Sequence, residues 1–301
     1  MIFTLPVIIL GGTQDMKITD IIRQDRLSLS FEVFPPKTDD KFEKVKFAIE
    51  EIADRKPSFM SVTYGAGGGT SKYTVDIARD IREKGVTSIA HLTCVSSSRQ
   101  QVRGMLDKLR ENGIENILAL RGDILEGLDR SRMEYRYASE LVTEIKEYGG
   151  FCIGGACYPE THPESSSSME DIANIKKKVD AGVEFLTTQM FFDNDIYYNF
   201  LYRLREAGVD VPVIAGIMPI TSAKQIERVV SISQNALPQR FLRIVDRFRD
   251  NPKAMKQAGI AYATEQIVDL YANGVKAVHI YSMNNPSVVE ALQNNVSEII
   301  G

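Results

Sequence analysis

The sequence predicts an α/β fold, a TIM (β/α)8 barrel with an extra helix before strand eight. Three observations point there. Short apolar or β-branched runs occur eight times along the 301 residues. Longer charged segments with helical periodicity separate them. The runs are nearly continuous in apolar character, as strands covered by helices on the sheet's faces must be. Eight such units in a chain of this length fit one closed barrel better than a doubly wound sheet.

The first strand candidate is "LSLSFEVF" (27–34), which Pro35 and Pro36 end. "DKFEKVKFAIEEIADR" (40–55) follows as a helix with Phe42, Val45, Ile49 and Ile52 on one face. "FMSVTYG" (59–65) and "TSIAHLTC" (87–94) are strands two and three. "SRQQVRGMLDKLREN" (98–112) sets Val102, Met105 and Leu109 on one helical face, and "NILALRG" (116–122) is strand four. After strand five, "FCIGGACY" (151–158), a helix over 168–182 opens with Ser168 and Asp171 as a capping box and closes on Gly182. "EFLTTQMFF" (184–192), "PVIAGIMP" (212–219) and "AVHIYSM" (277–283) complete the set. The segment 237–273 is longer than one helix needs, so the extra helix belongs there. "MKITDII" from Met16 has the look of a start of its own, so residues 1–15 read as an N-terminal extension and 16–301 as a single catalytic domain.

A net charge of -4 and a pI near 5.6 leave no electrostatic footprint for nucleic acid. Cys94, Cys152 and Cys157 make no CxxC pair and fit reduced thiols, hence a cytoplasmic protein. No apolar run approaches the roughly 18 residues of a membrane span, and the apolar start lacks a basic n-region and a cleavage site.

Barrel active sites form at the C-terminal ends of the strands. The polar residues there are Glu32, Thr63, Tyr64, His91, Thr93, Arg121, Asp123, Tyr158, Glu160, Gln189, Tyr281 and Asn284. Glu32 interrupts an apolar strand. Burial there would either keep it protonated, as a general acid near neutral pH must be, or require an ion pair with Arg121 or a lysine across the mouth. Asp123, in "LALRGD", is either a loop aspartate capping a turn or a fixed negative charge for a cationic intermediate. The three histidines, His91, His162 and His279, invite a metal, yet no HxH or HExxH spacing occurs. "YGAGGGTSK" (64–72) fails both glycine-rich phosphate patterns and reads as a βα loop. "KKK" (176–178) is either a solvated helix face or a pyrophosphate site. No strand carries a lysine for a Schiff base, and no GxSxG elbow is present. What remains is a polar, carboxylate-bearing site suited to an organic cofactor.

In this order along the chain, "SFEVFPPK", "FMSVTYGAGG", "AHLTC", "ALRGD", "YASELV", "CYPETHPE", "KVDAG" and "TTQMFFD" resemble the motifs of methylenetetrahydrofolate reductases, from about Leu27 to Tyr281. The resemblance implies a flavin-containing TIM barrel of one-carbon metabolism and methionine biosynthesis that reduces 5,10-methylenetetrahydrofolate to 5-methyltetrahydrofolate. It implies FAD as cofactor, Glu32 as general acid and Asp123 beside flavin and pterin. Thr63, Tyr64, His91, Arg121, Gly122, Asp123, Tyr137, Ala138, Tyr158 and His162 match flavin positions. Asp171, Asn174, Lys177 and Lys178 match positions around ribose and pyrophosphate, and Glu32, Asp123, Gln189 and Tyr281 match folate contacts. NADH or another electron donor would reduce the flavin and leave before folate enters, giving ping-pong kinetics. A separate electron-transfer subunit is an alternative donor, and a homo-oligomer is expected. One departure is Asn285, where bacterial members often carry an arginine facing the folate glutamate tail. Without the long C-terminal regulatory domain of eukaryotic members, control by S-adenosylmethionine is not expected. The rival readings are a metal-dependent barrel hydrolase and a non-catalytic folate-binding subunit of a methyl-transfer complex.

Overall fold

The eight apolar runs pair in chain order into a closed parallel barrel in the computed structural model, which describes residues 16–36, 38–64, 71–124, 131, 133–232 and 237–301. The strands are β1 (Ser28–Val33), β2 (Met60–Val62), β3 (Ser88–Thr93), β4 (Asn116–Leu120), β5 (Cys152–Cys157), β6 (Phe185–Thr188), β7 (Val213–Ile217) and β8 (Ala277–Tyr281). Each lies within its predicted run and is shorter, because pairing stops where the chain turns toward the mouth. β1 closes on β8 with Ser30 opposite His279 and Glu32 opposite Tyr281.

Alternation along the strands divides the side chains. Phe31, Val33, Met60, Val62, Ala90, Leu92, Ile117 and Ile280 join the main core under the helices. The inward residues Phe59, Ile89, Leu118, Cys152, Phe185, Ile214 and Ala277 form a second cluster inside the barrel. That cluster includes Ile18, Ile21 and Ile22 of a short helix, α1 (Ile18–Ile22), which plugs the bottom. Asn116 fixes the plug: its Oδ1 accepts from the Ile18 N–H at 2.9 Å and its Nδ2 donates to the Met16 carbonyl at 3.1 Å. Burial of the three isoleucines stabilises by roughly 1.5–3 kcal/mol each. No sequence signal announces α1, since five residues are too few to show a period.

The outer helices are α2 (Phe42–Ala53), α3 (Ser71–Glu83), α4 (Arg99–Glu111), α5 (Ala138–Tyr148), α6 (Ser168–Ala181), α7 (Asn194–Glu206), α8 (Ala223–Ile232), α9 (Gln239–Phe248), α10 (Pro252–Ala272) and α11 (Pro286–Ile300). The extra helix is α9, within the expected segment. Its Phe241 and Val245 pack with Met190, Phe192, Ile220 and Met255 in a satellite core that Met218 and Tyr281 flank. This is why the apolar run 184–192 outlasts β6: Met190 and Phe192 serve the satellite core instead of the ladder. α10 crosses the chain after β7 so closely that a Cβ on Gly259 would lie 1.7 Å from the Ile220 carbonyl oxygen.

The cap of α6 lies one residue before the predicted one. Ser167 is the N-cap and accepts from the Glu170 N–H at 3.2 Å, so Ser168 and Asp171 form no capping box. The Asp171 carboxylate is occupied elsewhere, accepting from the His162 N–H and the Ser165 hydroxyl. The three cysteines are free and buried. Among the described residues no helix is long and apolar enough to cross a membrane.

Candidate active site

Glu32 is the last inward residue of β1, and only 8 % of it is exposed. Burial pushes its carboxyl up from 4.5 to about 8. Its neighbour from β3 is His91, with Nε2 3.6 Å from Oε2. Burial pushes His91 down from 6.5 to about 3, so at neutral pH the two meet as uncharged groups and not as an ion pair. The contact is also too long for a hydrogen bond, and the buried His91 Nε2 has no partner among the described residues. Among the described residues no arginine or lysine pairs with Glu32. Arg121 turns away and forms a bidentate pair with Glu164 at 2.6 and 2.7 Å.

Beneath Glu32 lies a buried polar layer. The Ser30 hydroxyl meets His279 Nδ1 at 2.7 Å, and the Ser61 hydroxyl meets Nε2 at 3.0 Å. Burial, with His91 nearby, pushes His279 down to about 3, so it too is neutral. With both ring nitrogens engaged, His279 has no lone pair left for a metal. Among the described residues no group of three or more His, Cys, Asp or Glu could hold one. The alternation Ser28, Ser30, Glu32 within "LSLSFE" was the signal for this layer.

The β8 side is fixed through Tyr281, whose hydroxyl donates to the Thr188 carbonyl at 2.5 Å. The Thr188 hydroxyl accepts from the Gly216 N–H at 2.8 Å, bridging β6 to β7 past their last paired residues. Gly216 must be bare, because a Cβ there would meet the Thr188 carbonyl at 2.3 Å and the Tyr281 hydroxyl at 2.8 Å. Gln189 donates its N–H to the Cys157 carbonyl, and its side-chain oxygen takes the Met190 N–H at 3.0 Å.

The strand ends of β2 to β5 form the other wall. The Thr63 N–H donates to the Val33 carbonyl, and Tyr64 packs partly against the core. Gly122 has φ +86, and a Cβ on it would press on Thr93 at 3.0 Å. Asp123 is exposed, and its charge acts on Arg121 and Tyr158. Tyr158 stacks edge-on against His162, centroids 4.6 Å apart. Burial lowers the His162 pKa against the opposing charges of Asp171 and Glu164. Tyr137 and Ala138 start α5, with Tyr137 largely exposed.

The run "KKK" divides by helical phase. Lys176 pairs with Asp180, and Lys177 reaches Asn174 Oδ1 at 3.1 Å on the exposed side. Lys178 alone turns inward and donates to the Ala156 carbonyl, and burial lowers its pKa. Most of the loop 64–72, residues 65–70, lies outside the described residues. Asn285 is the N-cap of α11 without a cap bond from its side chain. Its Oδ1 accepts from the Ser287 hydroxyl at 2.8 Å, and Lys256 Nζ donates to that hydroxyl at 2.7 Å.

The chain matches known proteins over nearly its whole length. The family model of methylenetetrahydrofolate reductase covers residues 17–297. A 5,10-methylenetetrahydrofolate reductase from Pectobacterium carotovorum subsp. carotovorum is 37% identical over 270 residues, 89% of this chain and 90% of that protein. The 5,10-methylenetetrahydrofolate reductase of Escherichia coli (strain K12) is 36% identical over the same shares. Methylenetetrahydrofolate reductase (NADH) 1 of Arabidopsis thaliana is 34% identical over 92% of this chain, which spans 50% of that protein. An uncharacterized protein from Clostridium thermocellum that binds two copies of 5-methyl-5,6,7,8-tetrahydrofolic acid shares the fold at a TM-score of 0.66 and 15% identity, over 94% of this chain and 99% of that one. A barrel with a neutral buried carboxylic acid at its mouth and this likeness to the bacterial enzymes belongs to the methylenetetrahydrofolate reductase family of oxidoreductases.

Proposed function

We propose that the protein reduces 5,10-methylenetetrahydrofolate to 5-methyltetrahydrofolate with FAD, in a ping-pong exchange with NADH as donor. The observation that carries this reading is Glu32, a carboxylic acid kept protonated by burial at the barrel mouth. NADH is favoured because the Arabidopsis relative is named for it; a separate electron-transfer subunit is the alternative donor. A homo-oligomer in the cytoplasm, where the three thiols stay reduced, goes with this reading.

The residues present fit FAD. His91 Nε2 is a buried nitrogen at the mouth without a partner among the described residues, and Gly122 leaves bare backbone beside it on the next strand end. Thr63, Tyr64, His91, Gly122, Tyr137, Ala138, Tyr158 and His162 would hold the rings and their linker. Arg121 and Lys178 would supply cations for the pyrophosphate, with Asp171, Asn174 and Lys177 about the ribose. Held by these residues, FAD would supply hydride chemistry, relaying a hydride from the donor to the methylene carbon of the folate.

The chain's own residues prepare that carbon. Glu32 gives its proton to N10 of the substrate. The bond from N10 to the methylene carbon breaks, its electron pair goes to N10, and a cationic iminium forms at N5. Asp123 supplies negative charge to that cation. Gln189 and Tyr281 hold the pterin, and the barrel wall supplies proximity. The test separates the half-reactions. The protein should purify yellow, and anaerobic NADH should bleach it. Glu32→Gln keeps shape but donates no proton, so its flavin should still be reduced normally. Reoxidation by 5,10-methylenetetrahydrofolate should slow at least about 100-fold. Equal loss in both half-reactions, or loss in neither, would sink the assignment.

A further inference from the structure

The end of β1 raises a hydrogen-bonding question. Pro35 and Pro36 have no N–H, so Phe34 is the last residue there that can donate. The β1–β8 ladder has already ended at the Glu32–Tyr281 pair. Backbone groups this close to the core need partners. They find them in the turn after β8. The Phe34 N–H donates to Asn284 Oδ1 at 2.8 Å, and Asn284 Nδ2 donates to the Phe34 carbonyl at 2.8 Å. The Ser282 hydroxyl donates to the Glu32 carbonyl at 2.6 Å. On the other side the Thr63 N–H donates to the Val33 carbonyl at 3.0 Å. One asparagine side chain thus stands in for a further strand residue, and three consecutive residues from Glu32 onward are held from both neighbours.

The turn that delivers Asn284 is strained. Met283 and Asn284 have φ of 53° and 52°, two successive non-glycine residues in the left-handed region. Asparagine tolerates that region and methionine does so poorly. Such strain persists where surrounding contacts over-determine the backbone, and it gathers at functional sites. Here the contacts that hold it include the two hydrogen bonds between the Asn284 amide and Phe34, beside the Asn285 N–H to the Ser282 carbonyl that closes the turn.

We propose that Asn284 is a positioning residue for the general acid: its amide extends the β1–β8 pairing past both strand ends and so fixes the backbone that aims Glu32 at the substrate. The proposal rests on the general-acid reading of Glu32. A misplacement of about 1 Å can cost on the order of 100-fold in rate. Without the amide, Phe34 loses both partners, its segment relaxes, and water gains access to the Glu32 carboxyl. Among the described residues, the titratable groups that act with that carboxyl are His91 from β3 and Tyr281 from β8, with His279 one layer beneath. β2 contributes only Met60, Ser61 and Val62.

The test uses the full chain with its flavin and compares Asn284→Ala and Asn284→Asp with Glu32→Gln. Asn284→Asp keeps the acceptor for the Phe34 N–H and tolerates the left-handed turn, but loses the donor to the carbonyl. Stopped-flow absorbance should show flavin reduction within about 2-fold of the parent in both. Reoxidation by folate should slow about 10- to 100-fold in Asn284→Ala and less in Asn284→Asp. Infrared difference titration of the carboxyl, with Glu32→Gln as the blank, should show Glu32 ionising at lower pH in Asn284→Ala. That second readout needs no turnover, so it judges Asn284 even if Glu32→Gln proves Glu32 not to be the acid. The proposal is overturned if the carboxyl titrates as in the parent. It is equally overturned if both half-reactions fall together, or if neither changes. Should Asn284→Ala fail to fold, the same outcomes in Asn284→Asp decide it.

Discussion

Glu32, His91 and His279 set opposing pH dependences on stability, and their signs can be worked out. Glu32 is raised from 4.5 to about 8, so the folded protein binds a proton that the unfolded chain has released. Its contribution is complete below 4.5 and is lost as pH rises to 8. The histidines are lowered from 6.5 to about 3, so theirs is present above 6.5 and lost as pH falls to 3. Together they place a stability maximum near pH 6.5 in the flavin-free protein. The falling limb between 6.5 and 8 belongs to Glu32, with a slope of up to about 1.4 kcal/mol per pH unit. Urea midpoints across that range should decline in the parent and stay level in Glu32→Gln; parallel declines would assign the limb to another group. Asn285 carries a second expectation at this scale. Its side chain lies two hydrogen bonds from Lys256, so one cation already stands near the position where the family resemblance implied an arginine. Asn285→Arg adds another and should lower KM for polyglutamylated folate severalfold at low salt. A KM that is independent of salt and identical in parent and variant would locate the tail elsewhere.

At the scale of elements, α6 shows how one turn of a helix sorts three identical residues. Lys176, Lys177 and Lys178 are indistinguishable by composition, yet only Lys178 lies on the face turned toward β5, where it donates to Ala156. A buried ammonium beside a site is worth far more to a pyrophosphate than an exposed one screened by solvent. Lys178→Ala should therefore weaken FAD retention by at least about 10-fold, and Lys177→Ala by much less. Fluorescence titration of the flavin-free proteins checks this. Equal affinity in Lys178→Ala and parent would return the run to a solvated face. The same helix explains a misread cap. "SSSSMED" offers several serine–acid pairs in neighbouring registers, and local pattern cannot choose between them. The choice falls to Asp171, whose carboxylate is drawn off by the His162 N–H, leaving Ser167 to cap.

For the whole molecule, the flavin and metal readings of the same barrel give opposite results on dialysis. Against EDTA the visible absorbance and turnover should be unchanged; loss restored by zinc would revive the hydrolase. The sequence by itself determined the eight strands, their order, the place of the extra helix and the strand-end positions of the polar residues. These follow from period and polarity, which are local and survive in a string of letters. The ordered motifs likewise carried the family. Only the tertiary structure decided what the polar residues do to one another. It put Glu32 beside a neutral His91 and gave Arg121 to Glu164. It set Ile18 under Asn116 to close the bottom, and it joined Phe34 to Asn284 across 250 positions. A strand's alternation says which way a side chain points, but its partner lies on another strand, brought there by barrel closure. Charge state follows from that partner and from burial, so the protonation of Glu32 was readable in the sequence only as a choice between acid and ion pair.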